Sequence, residues 1–525
     1  MNKFFAPLIL ALITVPLKAQ TTSDAPSLVI GITVDQLRTD YLEMMSHLFG
    51  TKGFNRLMKE GVVYEQVTFD YPGVSRASAA ATVYTGAYPA WHGITSNTLF
   101  DRTDKSVHQS FYDSKQLGNF TSQTLSPKAL LISTIGDELK SATLGKSRIY
   151  SVAPEPDMAI IAAGHAGDAA FWLDDTNGKW ATTTYYRDLP YYITDFNINN
   201  GLDVRIDTMK WTPLLKAKDY TGIPYDTPDF LFNYTFNRDG AEKYHNFKHT
   251  PLVNREVTKI AEELITKGRL GKQSVPDFLN IGYYGGNYPG RTVQEYGAEL
   301  QDTYIRLDKE IEAILACVDK NVGLQNTLIF ITSTGYTKAE GRPHGIYGVP
   351  SGEFFPKRAT ALLNYYLMAL YSHENWVLGY NDGEIFLDRD LIEKKGLNFD
   401  DFTVKCAEFL AQMEGVQDVI TAQQILHGDL SCVAALRRKY HRKLSGDLVL
   451  TIQPGWEINY EDKDETHEYV HYNAVPATLI FFGKNITPAH IARPVSATQI
   501  APSVSRAVRI RAPSASSSIA LPEIK

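Results

Sequence analysis

The sequence predicts an α/β fold, a mainly parallel sheet between helical layers, on two observations. Apolar, β-rich runs recur along the chain, each followed by a helical pattern, and each run is apolar throughout instead of alternating with polar residues. Strands covered on both faces read that way, and their alternation with helices builds parallel sheets. With 525 residues, 44% of them hydrophobic, the chain can bury a large core.

The elements follow in order. Residues 1–19, with Lys3, an apolar run from Phe4 to Leu17 and then Lys18-Ala19, read as a signal peptide cut near Ala19. No other run approaches the roughly 20 apolar residues of a membrane span, so a periplasmic or secreted protein is expected, without a membrane span. Removing residues 1–19, which hold two lysines and no acids, takes the formal charge from −7 to −9, a balance that argues against a nucleic-acid partner. Three cysteines, Cys317, Cys406 and Cys432, do not suggest a disulfide framework.

The strands expected in the sheet are "SLVIGITVD" (27–35), "SRIYSVA" (147–153), "DFLNIGYY" (277–284), "NTLIFITS" (326–333) and "ATLIFFG" (477–483). Residues 166–250, irregular and rich in aromatics and Asp/Asn, and residues 346–440, which read as a separate α/β segment, are expected to be insertions over the sheet's active edge within one domain, 20–525. Ligands on such sheets bind beyond the carboxyl ends of the strands. The residues to inspect are therefore Asp35, Glu155 to Asp157, Asn287 to Arg291, and Thr334-Gly335. Between the first two strands of this series, "YPGVSRASAAATVYTG" places Ser75 after a Pro-Gly turn at the mouth of a helix. Two roles fit it there: a helix cap, bonding the backbone N–H groups that follow, or a nucleophile facing an anion held at the helix N-terminus.

The segments "GITVDQLRTDYL" and "GFNRLMKEGVVYEQVTFDYPGVSRASAAATVYTGAYPAWHGITSN", with "IIAAGH", "VPDFLNIGYYGG", "TLIFITSTG" and "RRKYHRKLSGDLVLTIQPGW", resemble the alkaline phosphatase superfamily. The resemblance is strongest to PafA-type exported phosphatases and to the nucleotide pyrophosphatase/phosphodiesterases. It implies an alkaline-phosphatase-like fold and a centre in which two zinc ions about 4 Å apart activate a Thr or Ser nucleophile. On this resemblance Asp35 matches a metal-binding aspartate, Ser75 the nucleophile, and Asn97 the amide that contacts a phosphoryl oxygen.

The other ligand positions of the family fall on Asn287, Arg291, Thr334, Gly335 and Ala474, and its phosphate-binding Lys and Arg on Glu155 and Asp157. Thr, Gly and Ala supply none of the donors zinc uses. Without a metal no general base is evident beside Ser75. The resemblance thus implies a degenerate di-zinc site with no cofactor expected, and a pseudophosphatase that binds a protein or glycan partner the sequence does not name. The alternative is a phosphomonoesterase, phosphodiesterase or sulfatase-like hydrolase with a remodelled site, Ser75 as nucleophile, and zinc as cofactor.

Three carboxylates, Asp35, Glu155 and Asp157, brought to one sheet edge need a cation. Arg291 is the expected one, with Asp35 as its foremost partner. His92, His165, His344, His467 and His471 lie near the motif segments. The four-residue spacing of His467 and His471 suits zinc on a helix. The segment reads extended, however, and no carboxylate is evidently placed to join them, so ordinary hydrogen-bonded histidines are expected.

Overall fold

The computed structural model describes residues 25–221, 232–237, 240–286, 293–335, 350–429, 431–461, 467–470 and 476–525. The segment expected to be a signal peptide, and Asn287, Arg291, His344, His471 and Ala474, lie outside them.

Among the described residues the main sheet has eleven strands. Its principal members are β1 (Leu28–Asp35), β2 (Val62–Thr68), β3 (Ile149–Ala153), β4 (Ala169–Leu173), β5 (Trp180–Thr183), β6 (Asp277–Tyr284), β7 (Thr327–Ser333) and β8 (Ala477–Gly483). They lie in the order β2-β8-β7-β1-β6-β3-β4-β5. The centre, β7-β1-β6-β3-β4, is parallel throughout. Although β8 is as apolar as its neighbours, it runs antiparallel to both β7 and β2. Double-sided burial, which sets that composition, is indifferent to strand direction.

The helices that cover the sheet are α1 (Arg76–Thr85), α2 (Pro156–Ala163), α3 (Leu252–Thr266), α4 (Val293–Asn321) and α5 (Ile500–Ala507). Successive strand residues point to opposite faces, so β1 serves both layers. Ile30, Ile32 and Val34 join Val257, Ile260 and Leu264 of α3 and Leu307 and Ile311 of α4 in one core cluster. Val29 joins Ala77 and Ala80 of α1 and Ile160 of α2 in the other. Within that second layer Tyr84 of α1 reaches the sheet: its hydroxyl lies 2.8 Å from Thr33 Oγ1 of β1 and also bonds Asn280 of β6. Asn280 in turn donates to Ser151 Oγ of β3 at 2.8 Å. This buried network fixes α1 against the strands whose ends form the site.

A second sheet of four antiparallel strands, built from residues 377–381, 384–387, 416–421 and 448–452, packs with the helices Pro356–Leu370 and Phe399–Leu410 around Leu363, Trp376, Phe402 and Cys406. The segment that leads into its last strand meets the loop before Ser75. Arg438 Nη1 donates to the Asp70 carbonyl at 2.9 Å, and Lys439 Nζ to that of Gly73 at 3.2 Å. Among the described residues no helix is long and apolar enough to cross a membrane.

Candidate functional site at the carboxyl edge of the sheet

β1, β3, β6 and β7 end side by side, and residues at the ends of β1, β3 and β6, with others from the helices beside them, line a cavity of about 110 Å³. Its lining includes Asp35, Gln36, Arg76, Asn97, Glu155, Lys248, His249 and Tyr284. Asp35, the last residue of β1, is buried. Thr334 follows β7 and donates its hydroxyl to Asp35 Oδ1 at 3.1 Å while accepting the Gln36 N–H at 3.2 Å. The next residue, Gly335, has φ +61°, and a Cβ added there would stand 2.3 Å from Phe69 Cε2. No side chain fits at that position while Phe69 stays where it is.

Ser75 is the N-cap of α1 and closes a capping box with Ser78. Ser75 Oγ accepts the Ser78 N–H at 3.3 Å, and Ser78 Oγ accepts the Ser75 N–H at 3.0 Å. Among the described residues the Ser75 hydroxyl bonds within this cap alone, to Ser78. Asn97 serves the same helix, its Oδ1 accepting the Ala77 N–H at 3.0 Å. Together the two satisfy backbone donors that the first turn of a helix leaves free.

The cation that gathers the acids is Arg76, at the first position of α1. Its Nε meets both oxygens of Asp157, at 3.1 and 3.0 Å. Nη1 lies 3.7 Å from Asp35 Oδ2, and Nη2 lies 3.9 Å from Glu155 Oε2. Lys248, 2% exposed, adds a second cation, 3.1 Å from Glu155 Oε1 and 2.7 Å from Asp175 Oδ1. Asp157 also sits in the first turn of α2, where its Oδ1 accepts the Met158 N–H at 2.7 Å and the helix dipole favours its charge.

The acids titrate apart. Burial pushes the Asp35 carboxyl up, and Arg76, though opposing this, does not reverse it. Burial works the same way on Glu155, but Lys248 and Arg76 overcome it and hold that carboxyl down to about 2. The sequence expectation was a contact of Arg291 with at least one of these acids, Asp35 foremost; Arg291 lies outside the described residues. Arg76 and Lys248 were not anticipated. Arg76 had a visible signal, since it directly follows Ser75 and so must share the same edge. Lys248, remote in sequence from every motif, had none.

His92 is buried. It accepts the Ile94 N–H at Nδ1 (3.1 Å), its Nε2 lies 3.3 Å from Thr82 Oγ1, and burial pushes its pKa down to about 3. His165 is exposed, and its carbonyl accepts the Tyr185 hydroxyl at 3.0 Å. His467 lies on a strand, His467–Tyr469, and not a helix. Its imidazole contacts the Glu457 carboxylate, which corrects the expectation that no carboxylate stands beside it. Antiparallel pairing of 467–469 with 457–459 makes neighbours of residues that the sequence separates.

The sequence matches the family described as type I phosphodiesterase / nucleotide pyrophosphatase over residues 29–474. The chain belongs to that family. Within the alkaline phosphatase superfamily it is PafA-like: it is 29% identical to alkaline phosphatase PafA of Elizabethkingia meningoseptica, over 95% of this chain and 94% of that protein. It is 28% identical to alkaline phosphatase PhoV of Synechococcus elongatus, over 94% of this chain and 91% of that protein. The crystal structure of wild-type PafA superposes with a TM-score of 0.82 at 26% identity, covering 95% of this chain and 99% of that one. The mostly parallel sheet between helical layers is thus the alkaline-phosphatase-like fold.

Proposed function

We propose that this chain is an exported PafA-like pseudophosphatase, in which an ion-pair network stands where its superfamily uses two metals, and which acts by binding a protein or glycan. The observation that carries this reading is Arg76: one guanidinium lies within 3.9 Å of the carboxylates of Asp35, Glu155 and Asp157. A fixed positive charge there competes with a metal cation for Asp35, the one aspartate retained from the family's ligand set.

The donor set does not fit a di-zinc centre. Zinc is held by thiolate, imidazole and carboxylate groups. Thr334 offers a hydroxyl already given to Asp35, and Gly335 offers no side chain at all. Asn287, Arg291 and Ala474 add an amide, a cation and a methyl group. The phosphate side agrees, because Glu155 and Asp157 present carboxylates where a phosphate dianion would need cations, and Arg76 and Lys248 are engaged by those acids. Among the described residues the Ser75 hydroxyl has Ser78 and no base for a partner, which suits a part in holding α1 in place.

Assays with a phosphate monoester and a phosphate diester are expected to show no turnover above background, in the parent chain and in Ser75→Ala alike. Loss of the cap should appear instead as about 1 kcal/mol of stability. Hydrolysis that disappears in Ser75→Ala would establish the other reading, an active hydrolase with Ser75 as nucleophile.

A further inference from the structure

We propose that Glu353, Glu457 and His467 form a site for one divalent transition-metal ion, best matched by zinc, on a small sheet distinct from the edge that holds Arg76. Three short strands meet there. Glu353–Phe354 runs parallel to Glu457–Asn459, which pairs antiparallel with His467–Tyr469. The register sets Glu353 opposite Glu457 and His467 opposite Asn459. Residues two apart on a strand share a face, so all these side chains lie on one side of the sheet.

One ligand atom from each of Glu353, Glu457 and His467 lies within 4.8 Å of the other two. Two carboxylates directly opposed on neighbouring strands repel each other, a cost that a bound cation removes. The imidazole decides the class of cation. Two oxygens and one nitrogen suit zinc or cobalt, whereas calcium and magnesium take oxygen alone. Glu353 and His467 are exposed, which leaves the remaining coordination positions to water. Asn459 Nδ2, 3.4 Å from Glu353 Oε1, helps orient that carboxylate. A metal here would pin the 467–469 strand to the two strands beside it.

The site is independent of the pseudophosphatase reading, and one experiment separates the two. The full mature chain, stripped with chelator, is titrated with zinc by calorimetry, and with cobalt while its visible absorption is followed. One equivalent is expected to bind. His467→Ala and Glu457→Gln should each weaken binding by at least about ten-fold, since even residues behind a ligand are worth about 10- to 100-fold. Asp35→Asn should bind as the parent does. Near-ultraviolet circular dichroism of each variant confirms the fold, and Glu353→Gln replaces any variant that has lost it. Absence of binding, or unchanged binding in both His467→Ala and Glu457→Gln, overturns the site. Binding lost in Asp35→Asn but kept in His467→Ala overturns it too, and places the metal at the sheet edge, against the pseudophosphatase reading.

Discussion

Arg76→Ala is expected to destabilise the fold by about 3–5 kcal/mol, among the largest effects open to a single polar substitution in this chain. The guanidinium touches three carboxylates, of which Asp35 is buried and Asp157 is met by Nε at 3.0 Å. Among the described residues Arg76 is the one cation within ion-pair distance of Asp35 and Asp157, and an uncompensated buried charge costs more than the ion pair itself contributes. Arg76→Lys keeps the charge but cannot span the acids with a planar fork, so an intermediate loss is expected. Denaturant unfolding followed by tryptophan fluorescence reads the difference. A midpoint unchanged in Arg76→Ala would mean that the acids do not depend on this residue.

The second large effect is a dependence on acid that passes through Glu155. Its carboxyl is held down to about 2, from an ordinary 4.5, because Lys248 and Arg76 outweigh the burial that pushes it up. A carboxyl depressed in the folded state stabilises the protein above its unfolded pKa and loses that contribution as pH falls through the folded one. The window therefore runs from about pH 4.5 down to about 2, and the contribution is on the order of 3 kcal/mol. Glu155→Gln should show a shallower loss of stability across that window. Asp35 has the opposite sign: raised by burial, it favours the fold below its unfolded pKa and opposes it above, so Asp35→Asn should not destabilise the protein at neutral pH. Urea midpoints collected from pH 5 to about pH 2.5 test both. Parallel curves for the parent and Glu155→Gln would contradict the assignment.

Much of the architecture was legible because both-face burial leaves a plain signature. Runs such as "SLVIGITVD" and "DFLNIGYY" became β1 and β6 almost to the residue. The direction of β8 was not legible, since an apolar strand looks alike either way. At the edge, the need for a cation among Asp35, Glu155 and Asp157 followed from charge alone; the part of Arg76 in meeting it did not, and Arg291 lies outside the described residues. Arg291 was the arginine in a motif slot, while Arg76 reaches the acids because the capping box at Ser75 aims the first turn of α1 at them. Gly335 shows the limit most sharply. The resemblance reads it as a replaced ligand position, and the structure adds that a Cβ there would stand 2.3 Å from Phe69 Cε2, so a side chain enters only if that ring moves. His467 is a similar case, its carboxylate neighbours being created by strand pairing.

The most direct test of the central claim is the metal content of the sheet edge. The chain from residue 20 onward is expressed with zinc supplied, dialysed against a weak chelator and analysed for metal per chain, beside Asp35→Asn. If Arg76 and its acids stand in place of a di-metal centre, as proposed, no retained zinc depends on Asp35, and the two proteins should give the same count. Two zinc ions per chain in the parent, lost in Asp35→Asn, would contradict it.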